Sequence, residues 1–141
     1  MPTPLKHIVL ADDDREDLEF FQDALKDNCP QVKITTAEDG GELLSVLDGN
    51  LFLPDVIVLD LNMPRVNGKD CLKAIRKNHR FEKVPVIVYS TSSSKNDRDE
   101  CLLFGANYYV TKPGSLQAIS SLVKKLCDGE MPYDSRDAKY A

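Results

Sequence analysis

Carboxylates and one lysine stand at the ends of short apolar segments in this 141-residue chain. Asp12 and Asp13 follow "HIVLA", Asp60 follows "DVIVL", and Lys112 follows "NYYVT". Carboxylates that crowd together repel one another unless a cation lies between them, and oxygen ligands of this kind suit Mg²⁺. If the fold gathers these four side chains, we expect them to hold a cation and a dense anion against one carboxylate.

Five apolar segments rich in β-branched residues must position this chemistry. They predict strands at residues 7–11, 32–36, 55–59, 84–89 and 107–111. Several are apolar throughout, which is typical of strands buried on both faces. Amphipathic segments predict helices at residues 14–27, 40–48, 67–78, 95–104 and 114–127, with Asp14 and Ser115 as N-caps. This alternation indicates a (βα)₅ α/β fold with a parallel sheet between helices.

Ligand sites in such sheets form at the carboxyl ends of the strands, where the strand order reverses. Asp12, Asp13, Asp60 and Lys112 stand at three such ends, and Ser90 follows the fourth strand with a hydroxyl. The chemistry that fits is attack by an aspartate on phosphorus, which would give an acyl phosphate. The metal and the lysine would stabilise charge on the transferred oxygens.

Four ordered motifs, "IVLADDD", "VIVLDLNMPRVNG", "VPVIVYST" and "GANYYVTKP", carry a family resemblance. Over about residues 5–128 the chain resembles the response-regulator receiver domain, the CheY-like phospho-acceptor module of two-component signalling. The resemblance implies a flavodoxin-like, doubly wound sandwich with strand order 2-1-3-4-5. It also implies that receiver domain and chain nearly coincide, at residues 1–129, followed by a short polar tail at 130–141.

The resemblance assigns a role to each residue of the acidic group. Asp60 would accept a phosphoryl group from a phosphohistidine. Asp13 and Asp60 would bind Mg²⁺ together with the backbone carbonyl of Asn62, and Asp12 would act mainly through bound water.

The resemblance also implies a switch. Lys112 would pair with Asp60 or its phosphate, while Ser90 and Thr91 would contact the phosphoryl oxygens. Tyr109 would turn inward into the space that Ser90 leaves. A cis peptide bond between Lys112 and Pro113 would aim the lysine.

Two positions set an expectation for the lifetime of the phosphorylated state. The switch hydroxyl is Ser90 where threonine is commoner in the family. Asn62 and Ser92 would flank the phosphorylated aspartate, and both are small and polar. Neither would block an attacking water, so we expect a phosphorylated state that is not exceptionally long-lived.

Bulk properties exclude several other classes. The net charge of −5, with no block of basic residues, argues against nucleic-acid binding. The apolar runs are far shorter than the ~20 residues that a bilayer crossing needs, and "MPTPLKH" lacks the core of a signal peptide. A soluble, cytoplasmic protein is therefore expected. The four cysteines are scattered without a CxxC pair, which favours reduced, packed thiols and argues against a zinc site.

These properties also limit the partners. The chain leaves no room for an output domain after the fifth helix, so we expect a stand-alone module that acts through other proteins. The partners implied are a sensor histidine kinase or phosphotransfer protein, a downstream target, and a second copy bound through the face of the fourth helix, fifth strand and fifth helix. Parts of the chain resemble the small regulators of phytochrome-type and other hybrid histidine kinases.

Other interpretations stay open on the residues alone. The acids after the first strand could do no more than stabilise the N-terminus of a helix through its dipole. Ser90 and Thr91 could belong to a simple polar loop, and Tyr109 could be a packing aromatic. An aspartate-nucleophile phosphatase would use an Asp-x-Asp pair, but Asn62 stands at the second position. A flavin-binding electron carrier would need a phosphate loop where "DDD" stands. A degenerate receiver that binds partners constitutively is a further alternative.

Overall fold

A parallel five-stranded sheet lies between two layers of helices in the computed structural model, which describes residues 5–49, 51 and 53–130. The strand order is β2-β1-β3-β4-β5, as expected, and all four pairings are parallel. The strands are β1 (His7–Ala11), β2 (Lys33–Ala37), β3 (Val56–Leu59), β4 (Val86–Ser90) and β5 (Tyr108–Thr111). The helices are α1 (Arg15–Asn28), α2 (Gly40–Gly49), α3 (Gly68–Lys77), α4 (Lys95–Leu103) and α5 (Leu116–Cys127).

The element boundaries agree with the predictions to within about two residues. Asp14 and Ser115 cap α1 and α5 as predicted, and Ser94 caps α4. α4 ends before Gly105, whose φ of 111° lies in the left-handed region that favours glycine. A short 3₁₀ helix, His79–Phe81, was not predicted. The predicted tail at 130–141 lies outside the described residues except for Glu130.

The sheet is buried on both faces because alternate residues of each strand enter two separate cores. One core lies under α2, α3 and α4, and the other lies under α1 and α5. Strand residues of the first core include Val9, Ala11, Ile57, Leu59, Val86 and Val88. Those of the second include Ile8, Leu10, Val56, Val58, Ile87 and Tyr89. Two-sided burial explains why these strands read as continuous apolar runs.

Arg76, near the end of α3, joins the amino ends of β4 and β5 to the segment before β4. Its guanidinium donates hydrogen bonds to the backbone carbonyls of Phe81, Val84 and Gly105, at 2.8–2.9 Å. It also donates to the side-chain oxygen of Asn107 at 2.8 Å. One side chain thus satisfies several loop carbonyls at the end of the sheet away from the acidic residues.

The expectation of four reduced cysteines is wrong for two of them. Cys29 and Cys127 form a disulfide with their Cα atoms 6.1 Å apart, although 98 residues separate them. Cys29 caps the carboxyl end of α1 and Cys127 ends α5. The two helices pack side by side, which brings their carboxyl ends together. Cys71 and Cys101 are free, buried thiols, as expected.

None of the helices in the described part of the chain has the length and apolarity that a bilayer crossing requires.

Thiol counting tests this arrangement. Burial raises the pKa of the Cys71 and Cys101 thiols to about 11, so little reactive thiolate forms at about pH 8. We expect slow alkylation of the folded protein by iodoacetamide. After unfolding without reductant, mass spectrometry should find adducts on these two residues only. Reduction before alkylation should add Cys29 and Cys127. Four adducts on unfolded, unreduced protein would show that the disulfide is absent.

Candidate functional site

Asp12 and Asp60 stand one residue beyond two neighbouring strands, β1 and β3. The backbone N–H of Asp60 donates to the carbonyl of Ala11 at 2.9 Å, and the N–H of Asp12 donates to that of Ala37 at 3.0 Å. These bonds continue the ladders of the sheet past the strand ends. The backbone of each acid is therefore fixed by the sheet, and both carboxylates point toward the same edge.

The structure brings the predicted acids together. Asp12, Asp13 and Asp60 each offer a carboxylate oxygen, and these oxygens all lie within 4.8 Å of one another. Asp12 and Asp60 are buried, with 1% and 5% of their surface exposed, whereas Asp13 is exposed. This geometry suits a hard divalent cation, which would take oxygen ligands and keep waters on its open side.

The electrostatics of the acids show the cost of bringing them together. Burial, and then the charge of Asp12, raise the pKa of Asp60 to about 7. Burial also raises the pKa of Asp12, although hydrogen bonds from Lys112 and the Asp14 N–H oppose it. A bound cation would relieve both desolvation and repulsion, so the donor set fits a metal.

Lys112, directly after β5, supplies the positive charge of the site. Its Nζ lies 2.7 Å from Asp12 Oδ2, 2.7 Å from Asp17 Oδ2 and 3.7 Å from Asp60 Oδ2. Burial alone would lower the pKa of Lys112, but the hydrogen bonds and charges of these partners outweigh it and raise the pKa. The lysine therefore stays charged against the acids.

Asp17 is the site residue that sequence reasoning missed. It lies in the first turn of α1, three residues after the N-cap Asp14. Capping by Asp14, which accepts the N–H of Asp17 at 3.2 Å, starts α1 close to the strand ends. The first turn then aims Asp17 at Lys112. A second acid one helical turn after an acidic strand end is the signal that could have found it.

The predicted cis peptide bond before Pro113 is wrong, since no described peptide bond is cis. The Lys112–Pro113 bond is trans, and the side chain still reaches its partners. The ion pairs with Asp12 and Asp17 hold the lysine in place.

The loop after Asp60 packs directly onto the end of β3. The N–H of Leu61 donates to Asp60 Oδ1 at 2.8 Å, and the N–H of Gly68 donates to the Leu61 carbonyl at 2.8 Å. A Cβ at Gly68 would overlap the Asp60 backbone, so only glycine allows α3 to begin this close. Asn67 caps α3, and Asn62 is exposed at the edge of the site.

Ser90 and Tyr109 occupy the neighbouring strands β4 and β5. Ser90 is fully buried, and its Oγ accepts the N–H of Ser92 at 3.2 Å. Tyr109 is 1% exposed, and its hydroxyl donates to the Ser92 carbonyl at 2.7 Å. The tyrosine thus already points inward in this structure. Thr91 is exposed at the start of the loop between β4 and α4.

Two further acids and both histidines either have partners outside the site or are exposed. Asp39 accepts the N–H of Glu42 at 2.7 Å at the start of α2, and Glu38 pairs with Arg15 on the surface. His7 shares a hydrogen bond with Thr35 at 2.8 Å, and His79 is exposed. The site therefore consists of the buried Asp12 and Asp60, the exposed Asp13, and Lys112, which Asp12 and Asp17 hold in place.

Known proteins share both the fold and the sequence pattern. A family model described as "Response regulator receiver domain" matches residues 8–124. The response regulator Rcp1 of Synechocystis is 29% identical over 126 residues, which cover 86% of each protein. The transcriptional regulatory protein CpxR of Escherichia coli is 36% identical over 109 residues, or 77% of this chain and 44% of CpxR. The chain thus spans less than half of CpxR but most of Rcp1.

Solved structures agree with these relatives. The phosphorylated cyanobacterial phytochrome response regulator RcpA superposes with a TM-score of 0.80 at 31% identity, over 86% of this chain and 91% of RcpA. The Mn²⁺-bound form of Rcp1 superposes with a TM-score of 0.77 at 27% identity, with the same coverage. With the acids and the lysine at the ends of β1, β3 and β5, these matches show that the chain belongs to the response regulator receiver domains of two-component signalling.

Proposed function

We propose that this domain accepts a phosphoryl group on Asp60 in a Mg²⁺-dependent reaction. The observation that supports this most is the position of Asp60, which lies within 4.8 Å of two further acids and 3.7 Å from Lys112 Nζ. A carboxylate that would be flanked by a cation on one side and an ammonium on the other can approach an anionic phosphoryl group.

The reaction forms one bond and breaks another. A carboxylate oxygen of Asp60 attacks phosphorus, the bond between phosphorus and the donor nitrogen breaks, and that nitrogen keeps the electron pair and takes up a proton. Asp13, Asp60 and the backbone carbonyl of Asn62 would hold Mg²⁺, with Asp12 acting through bound water. The cation would neutralise charge on the phosphoryl oxygens. Lys112 would hold another of these oxygens.

The switch would work through Ser90, Thr91 and Tyr109. A phosphoryl oxygen is a strong acceptor, so it would attract the Ser90 hydroxyl and the start of the following loop. Tyr109 is bonded to that loop at Ser92, so a shift of the loop changes the space available to the ring. A new dianionic group at Asp60 would thereby favour one of two surface arrangements.

The donor would be a phosphohistidine of a sensor histidine kinase or of a phosphotransfer protein. The similarity to RcpA, a cyanobacterial phytochrome response regulator, supports a kinase of the phytochrome type. The output would be a protein target or a second copy bound through α4, β5 and α5. A location in the cytoplasm and a lack of contact with nucleic acid and membranes fit this role. The alternative within the fold is constitutive binding without phosphorylation.

Intact mass spectrometry tests acceptance by Asp60. Incubation with acetyl phosphate and Mg²⁺ should add one phosphoryl group to the protein. The Asp60→Asn variant and a Mg²⁺-free sample should gain none, because the first lacks the nucleophile and the second lacks the cation. If the native protein gains no mass and binds no beryllofluoride, the constitutive alternative replaces this proposal.

Substitution of Asp17 tests the hold on Lys112. Asp17→Asn removes a partly exposed anion that competes for the lysine and repels an incoming phosphoryl group. We expect beryllofluoride, measured by titration with Mg²⁺, to bind up to about five-fold more tightly, the range of a partly exposed ion pair. Glu16→Gln, in the same helical turn, serves as the charge-matched control. Equal or weaker binding by Asp17→Asn would contradict this assignment.

The lifetime of the phosphorylated state tests the flanking positions. Asn62 and Ser92 are small, and Asn62 is exposed, so water can approach the acyl phosphate. Once acetyl phosphate is removed, we expect the added mass to disappear with a half-life shorter than many hours. A half-life of many hours would show that another group shields phosphorus.

A further inference from the structure

A chain of polar contacts runs from the start of α3 to the buried ring of Tyr109. Lys69 Nζ donates to Asp97 Oδ1 at 2.7 Å and lies 3.5 Å from Glu100 Oε1. Asp97 Oδ2 accepts the Ser92 hydroxyl at 2.6 Å. The Ser92 carbonyl in turn accepts the Tyr109 hydroxyl at 2.7 Å. One carboxylate thus connects α3 to the loop that carries Ser92.

Charge strengthens the middle of this chain. Hydrogen bonds from Lys69 and Ser92 lower the pKa of Asp97, and the hydrogen bond to Asp97 raises the pKa of Lys69. The side chains of Lys69 and Asp97 are 26% and 30% exposed, so water screens the pair only in part. Both groups are therefore charged over the physiological pH range, and their contact persists there.

This series of polar contacts begins next to Asp60, the proposed phospho-acceptor. Lys69 follows Gly68, whose backbone packs on Asp60 and bonds to the Leu61 carbonyl. An open cleft of about 320 Å³ lies between the start of α3 and α4, and Asn62, Lys69 and Asp97 are among its lining residues. Apolar packing does not fill this space. At this level α3 and α4 are therefore joined across the cleft by the ion pair of Lys69 and Asp97.

We propose that the pair of Lys69 and Asp97, here named the α3–α4 clasp, positions Ser92 and so holds Tyr109 in its inward orientation. The clasp residues are positioning residues: they act through Ser92 and touch neither the metal site nor the phosphoryl group. The proposal rests on the proposed function in one respect, that the inward arrangement is the one that phosphorylation favours.

Linkage gives the clasp a measurable consequence. If an intact clasp stabilises the arrangement to which a phosphoryl analogue binds better, then breaking the clasp must weaken that binding, by at most the free energy that the clasp contributes to that arrangement. Another ion pair of α4, between Lys95 and Asp99 at 3.6 Å, joins two residues of the same helix and does not connect α4 to α3. It offers a matched comparison.

The experiment compares Lys69→Met, Lys69→Arg and Lys95→Met in the full chain labelled with 3-fluorotyrosine. The fluorine resonance of Tyr109 is assigned by its loss in Tyr109→Phe, and it reports the environment of the ring without any phosphorylation. We expect Lys69→Met to shift or broaden this resonance, because Ser92 loses its anchored partner. Lys69→Arg should keep the native resonance, since the guanidinium can still pair with Asp97. Lys95→Met should leave it unchanged.

Beryllofluoride titration with Mg²⁺ supplies the second readout. Lys69→Met should bind about two- to five-fold more weakly than the native protein, and Lys95→Met should bind equally. A native Tyr109 resonance in Lys69→Met, in a protein with unchanged thermal stability, would overturn the clasp. Failure of the native protein to bind beryllofluoride would overturn the proposed function instead, while a shifted resonance would still support the clasp.

Discussion

The structure depends on holding two carboxylates, Asp12 and Asp60, buried at adjacent strand ends against one ammonium group. Burial and mutual repulsion both oppose ionisation of these acids, and Lys112 offsets only part of that cost. The negative charge of such a site exceeds the positive charge that Lys112 supplies. This excess favours binding of a divalent cation at the edge of the sheet. A bound cation would in turn favour binding of a phosphoryl group there.

The rest of the fold makes this arrangement rigid. The sheet is covered on both faces, so its strands cannot slide without exposing apolar side chains. The ladder bonds that extend past β1 and β3 fix the backbones of the two acids. Gly68 then lets α3 begin against Asp60, and the Asp14 cap starts α1 against Lys112. Both helix starts therefore lie within a few ångströms of the chemistry, where they can respond to a change in charge.

Sequence reasoning could predict the part of the site that topology alone determines. Asp12, Asp60 and Lys112 follow apolar strands, and the carboxyl ends of parallel strands share one edge. The role of Asp17 was not predicted because its side chain reaches the site from a helix, and its direction depends on how the cap starts that helix. The trans bond before Pro113 was also not predicted, since ion pairs hold the lysine without a special peptide geometry.

The disulfide was not predicted from the sequence for a related reason. Cys29 and Cys127 are distant in sequence, and only the side-by-side packing of α1 and α5 makes them neighbours. Element boundaries were accessible because caps and breakers such as Asp14, Ser115 and Gly105 act locally. The hydrogen bond from the Tyr109 hydroxyl to Ser92 was not, because it goes to a loop whose path no local pattern determines.

The disulfide has a mechanical consequence for the two ends of the domain. Helices in this fold run opposite to the strands, so the carboxyl ends of α1 and α5 lie at the far edge of the sheet from the acids. The bond that joins them, together with the fan of hydrogen bonds from Arg76, fastens that far edge covalently and by polar contacts. At the edge with the acids, the described residues form ion pairs and hydrogen bonds but no disulfide. A charge added at Asp60 would therefore act at the edge that is held by non-covalent contacts, where the starts of α1 and α3 lie, and far from the edge that the disulfide joins.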